Sequence, residues 1–147
     1  MLQHLTEDGI LPPGIHDASL EDIKARFGLF QETDRRPRLC ERLEQLVAQL
    51  RPLGFVRHLI VNGSFVTSKP DPEDIDLILA IVPEILHRPE WAPAEYNALS
   101  SRRLRKQYQF DVLVAPVDGP AYSEYLEFFS QIKGSPDGRK GLVRLQL

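Results

Sequence analysis

The chain has 147 residues, 42% of them hydrophobic and 27% charged, with a formal net charge of −3. That length suits a single domain (1–147) with a core that needs no covalent staple, and the lone cysteine, Cys40, can form no internal disulfide. The charge argues against wholesale electrostatic attachment to nucleic acid or an anionic membrane, and no apolar run approaches the roughly 18 residues of a membrane span.

Residues 1–18 are expected to be irregular, broken by Pro12, Pro13 and Gly14, with Ile15 tucked beneath the domain. Glu7 and Asp8 stand where a secretory leader would be apolar, which points to the cytoplasm. Ser19 with Asp22 three residues on forms a capping-box pattern. A short helix from Leu20 to Phe27 would then stop at Gly28 in a left-handed cap. Leu39, Leu43, Leu46, Val47 and Leu50 mark one stripe of a second amphipathic helix, which Pro52 and Gly54 end.

Phe55 to Val61 reads as a buried strand, broken by Asn62, Gly63 and Ser64. A loop over 65–72 leads to a second β-branched strand from Ile75 to Val82, closed by Pro83. Residues 84–92 read as a loop carrying Trp91. A helix is expected from Pro93 to Lys106, anchored by Ala94, Leu99 and Leu104, then a strand from Tyr108 to Val114, ended by Pro116. Ala121 to Ile132 is the last helix, with Tyr122, Tyr125, Leu126 and Phe129 on one side. Residues 133–141 read as a turn-rich loop, and 142–147 as an edge strand. The fold class is therefore α/β (α+β), with a small mixed sheet flanked by helices.

The chemistry concentrates in VNGSFVTSKPDPEDIDLILAI, residues 61–81. Asp74 and Asp76 alternate with Ile75 and Leu77, so the two carboxylates share one face of an extended chain. Such a pair repels itself unless a cation lies between, and Mg²⁺ (or Mn²⁺) is the natural hard partner. Without a cation, the same residues make only an acidic turn before a strand. Gly63-Ser64 offers backbone N–H groups and a hydroxyl for a phosphate, or a plain turn. A third carboxylate, Asp111, interrupts an apolar strand between Phe110 and Val112. Burying an unpaired charge is costly, so a place beside a metal would account for it; a solvent-facing edge strand would too.

Taken together, an apolar strand, Gly-Ser, a spacer and Asp-x-Asp opening the next strand resemble the signature of the nucleotidyltransferase (polymerase-beta-like) superfamily. The resemblance covers residues 39–115 and extends to its minimal single-domain prokaryotic members, often found in toxin–antitoxin pairs. It implies a nucleotidyltransferase fold in which Asp74, Asp76 and Asp111 hold Mg²⁺, while Gly63, Ser64 and Lys69 contact an NTP such as ATP. The implied reaction moves a nucleoside monophosphate to a hydroxyl on a protein, a tRNA end or a small molecule. Asp111 would complete the metal site or take the acceptor's proton. Phe65 and Ser68 stand where minimal members carry a basic residue and a second glycine, and Glu73 where serine is common. These departures touch the triphosphate loop and leave the carboxylates intact.

Arg102, Arg103, Arg105 and Lys106 form a basic cluster that suits a triphosphate or an RNA acceptor, or a solvated helix face. His58 reads as a packed histidine, and Cys40 as a structural thiol. The chain leaves little room for acceptor binding, which suggests a protein partner or a homo-oligomer. Two readings compete with transfer. One is a non-catalytic antitoxin-like or nucleotide-sensing module on the same fold; the other is metal-dependent phosphodiester hydrolysis.

Overall fold

The computed structural model describes residues 2–147. It opens with strand β1 (Gly14–Asp17) and helices α1 (Leu20–Phe27) and α2 (Arg35–Leu50). Strands β2 (Val56–Asn62) and β3 (Asp76–Ile81) follow, then helices α3 (Pro93–Leu99) and α4 (Ser101–Tyr108). Strand β4 (Asp111–Pro116), helix α5 (Pro120–Ser130) and strands β5 (Gln131–Ile132), β6 (Ser135–Arg139) and β7 (Gly141–Gln146) complete it. Five strands make one mixed sheet in the order β1-β7-β2-β3-β4, and β5 and β6 form a separate hairpin. The pairs β1–β7 and β3–β4 are parallel, whereas β2 is antiparallel to both β3 and β7. This is the expected α+β class.

Both faces of the sheet are covered, which explains why β2 and β3 read as nearly continuous apolar runs. Leu59, Val61, Leu77 and Leu79 join the larger core, together with Leu39, Leu43, Leu46, Val47 and Leu50 of α2 and Leu104 of α4. Ile60, Ile78, Ala80 and Ala115 point the other way and pack with Tyr122 and Phe129 of α5. The stripe on α2 is at most 1% exposed at every position. By the same alternation, Asn62, Asp76 and Asp111 belong to the α5 face.

Several boundaries differ from the expectations, each for a physical reason. Residues 14–17 are a strand, not irregular chain. They pair in parallel with residues 141–144, Asp17 accepts from the Arg144 guanidinium at 2.6 and 2.9 Å across the two strands, and Ile15 is 40% exposed instead of tucked in. The C-terminal strand is interior, lying between β1 and β2, not at an edge. The last helix stops at Ser130; residues 131–132, expected to end it, form β5, which pairs with β6 inside the expected 133–141 loop.

The helix expected over 93–106 is two helices. Ser100 adopts extended backbone, and its hydroxyl accepts the Arg103 N–H at 3.3 Å, so it caps α4. Ala94 is exposed, and Ala98 takes its place in the core. Tyr108 closes α4 instead of opening a strand. The capping box of α1 forms as expected, through Ser19 and Asp22 at 3.1 Å in both directions. Gly28, however, sits at φ −93°. Glycine is needed there for space, since a Cβ would lie 2.9 Å from Cys40 Sγ and 3.0 Å from the Lys24 carbonyl.

Candidate functional site

The carboxylates meet because the strands bring them into register. Asp76 opens β3, Asp111 opens β4, and the parallel pairing sets them side by side. Asp74 lies two residues earlier on the same extended stretch, while Ile75 and Leu77 are fully buried and anchor it. One oxygen from each of Asp74, Asp76 and Asp111 lies within 4.8 Å of the other two. Asp111 opens the edge strand β4 and faces solvent, one of the two placements the sequence left open. Its side chain is 63% exposed, and the neighbours that made it look buried, Phe110 and Val112, turn to the opposite face and enter the core.

The cluster is electrostatically strained. Burial raises the Asp76 carboxyl above the usual carboxylate range, and the charges of Asp74 and Asp111 push it further. Lys140 and Arg105 act in the opposite direction. Of the basic cluster on α4, Arg105 alone turns to this site: its Nη1 lies 2.7 Å from Asp111 Oδ1 and 3.6 Å from Asp74 Oδ2. Arg103 instead stands 5.8 Å over the Tyr96 ring, and Arg102 and Lys106 are solvated.

Gly63 borders the cluster at φ +93°, and a Cβ there would sit 3.0 Å from Asp76 Oδ2. The glycine thus leaves room for the carboxylate, a more specific duty than admitting an anion. Ser64 opens a short 3-10 turn over Ser64–Val66, and among the described residues its hydroxyl is free. Lys69 is exposed on the following loop and does not line the cleft beside Asp76. The structure therefore joins the three aspartates with Gly63 and leaves Lys69 apart.

Sequence reasoning missed three contributors. Arg36 on α2 is 1% exposed, and its guanidinium donates to the carbonyls of Phe27, Ser64, Phe65, Thr67 and Lys69 at 2.5–3.4 Å. It fixes the loop that follows Gly63. Nothing in an arginine two residues into a helix signals such a clamp. Asn62, 4% exposed, pairs with Asp76 across β2 and β3. Its Nδ2 donates to the Phe129 carbonyl at 3.2 Å, while its Oδ1 has no partner. A buried amide between an apolar strand and a glycine was the available signal. Lys140 lines the cleft with Asp76, and burial pulls its ammonium below the usual lysine value.

That cleft, about 920 Å³, is walled by Asn62, Asp76, Phe128, Phe129, Lys140 and the β5–β6 hairpin. Beside it, three carboxylates whose oxygens lie within 4.8 Å of one another and repel each other are a donor set that could hold a hard divalent cation. The remaining titratable groups have structural explanations. His58 bonds Tyr122 Oη at 2.8 Å and is driven toward its neutral form by burial. Burial pushes the Cys40 thiol up to about 11, which makes it inert. No described helix is long and apolar enough to cross a membrane.

Residues 3–146 match the model of a family of unknown function, DUF6932. No curated protein and no solved structure matches the chain.

Proposed function

The chain belongs to DUF6932, a family whose name assigns no activity, and from its site we propose an Mg²⁺-dependent nucleotidyltransferase. The observation that carries this reading is the register of β3 and β4, which sets Asp76 beside Asp111 with Asp74 in reach. The resemblance of residues 61–81 to the nucleotidyltransferase signature, which rests on the same aspartates, supports it.

In this reading Asp74, Asp76 and Asp111 hold the cation. Once bound, it would neutralise the triphosphate and stabilise charge on the oxygens of the displacement. The chain's own residues do the rest. Gly63 keeps the space beside Asp76 clear, and Arg36 holds the Ser64–Lys69 loop in one shape. Asp111, whose side chain is 63% exposed, would complete the metal site or take the proton of an acceptor hydroxyl. The acceptor oxygen then bonds the α-phosphorus, the bond to the bridging oxygen breaks, and pyrophosphate leaves. The acceptor is a hydroxyl on a partner protein, a tRNA end or a small compound.

Arg105 favours a second reading. Its ion pairs with Asp74 and Asp111 put a side-chain cation where a metal would bind, which suits a nucleotide-sensing module that does not turn over. Incubation with each α-labelled NTP, Mg²⁺ and candidate acceptors separates the two. Pyrophosphate release with label transfer, lost in Asp74→Ala/Asp76→Ala, supports transfer. Saturable nucleotide binding with no pyrophosphate under any condition supports the sensor, and strand cleavage of a polynucleotide would overturn both.

A further inference from the structure

Resting on the nucleotidyl-transfer reading, we propose that the cleft beside Asp76 seats the nucleoside triphosphate, with its phosphates against Lys140 and its base on the exposed face of Phe128. Neither residue belongs to the signature that carried the sequence reading.

Lys140 is the first reason. It is partly buried in the cleft wall, and among the described residues its ammonium makes no hydrogen bond or ion pair. A desolvated cation without a partner is unfavourable, and the nearby Asp76 offsets this only in part. A phosphate entering the cleft would give the ammonium its partner. The same ammonium supplies the positive charge that lets an anion approach three carboxylates.

Asn62 is the second. It lines the cleft, is 4% exposed, and leaves Oδ1 unpaired. Its Nδ2 bond to the Phe129 carbonyl ties the end of α5, next to Phe128, to β2 beside Asp76.

Phe128 is the third. The other aromatics of α5 turn inward with Tyr122 and Phe129, yet Phe128 is 67% exposed at the cleft wall. Its ring is tilted 46° to that of Phe129, with centroids 6.1 Å apart, so it offers an open π-face. The cleft volume of about 920 Å³ lies within the range of about 300–1,000 Å³ usual for small-ligand sites.

The test is calorimetric titration of the full chain with ATP and, separately, inorganic tripolyphosphate, each with Mg²⁺. Lys140→Ala and Lys140→Gln should weaken both ligands roughly ten- to a hundredfold, as loss of a charge-assisted contact does. Phe128→Ala should weaken ATP about tenfold and leave tripolyphosphate unchanged. Circular dichroism and melting curves confirm that each variant folds. If Asp76→Asn abolishes ATP binding while the Lys140 and Phe128 variants bind as the wild type does, this subsite is wrong and the transfer reading stands. Equal loss of both ligands in Phe128→Ala refutes the base contact. A folded wild type that binds neither ligand overturns the subsite and the transfer reading together.

Discussion

Arg36 shows how much one side chain can organise. The loop after Gly63 has little regular hydrogen bonding of its own, and the Arg36 guanidinium satisfies carbonyls from Phe27 to Lys69. The planar, five-donor fork is what makes this geometry available. A lysine has three donors on one point and cannot span these acceptors. Arg36→Lys should therefore destabilise the fold by about 3 kcal/mol, since buried carbonyls would lose their donors; urea denaturation measures it. Asp76 is the opposite case, a residue whose charge the fold tolerates at a cost. Its folded pKa is raised, so it binds protons more readily folded than unfolded, and its contribution becomes less favourable as pH rises above the ordinary aspartate value of 3.8. Asp76→Asn removes that penalty while keeping the shape. Its melting temperature should rise by about 2–4 °C for each kcal/mol relieved, in cation-free buffer at pH 7.

At the scale of elements, the sequence announced what burial writes into it and missed strands that bury little. The stripe of α2 and the apolar runs of β2 and β3 were legible because each buries a face. Strand β1 was not, for its residues are mostly exposed and it is held by its ladder to β7. The β5–β6 hairpin hid for the same reason. The break between α3 and α4 was visible in principle as a Ser cap at Ser100. The carboxylate pair was legible through alternation, and of the two placements open for Asp111 the solvent-facing edge position holds, because its apolar neighbours Phe110 and Val112 face the other side.

The tie between β2 and α5 carries its own pH signature. His58 is buried against Tyr122, and its folded pKa is lowered by burial and then by Arg144, against smaller opposing effects of Asp118 and Asp17. It binds protons more readily unfolded, so stability should fall as pH drops below its unfolded value of 6.5. The denaturation midpoint should decline between pH 7 and pH 5, and His58→Gln should flatten that slope.

Viewed whole, the molecule builds one side of its open sheet from its first and last strands. The N-terminal strand pairs with the C-terminal one, and the latter fills the place beside β2. The α5 face of this sheet carries the site: β3 and β4 present the aspartates, β2 presents Asn62, and α5 with the hairpin walls the cleft. The overall negative charge hides this local pattern, in which Arg105 and Lys140 flank the acidic cluster from two sides. The central claim is that Asp74, Asp76 and Asp111 together bind a divalent cation, and Mn²⁺ titration followed by electron paramagnetic resonance tests it most directly. The account predicts saturable binding to the wild type that is lost in the folded Asp76→Asn variant; Mn²⁺ that stays free in solution with the folded wild type, or binds the variant equally well, would contradict it.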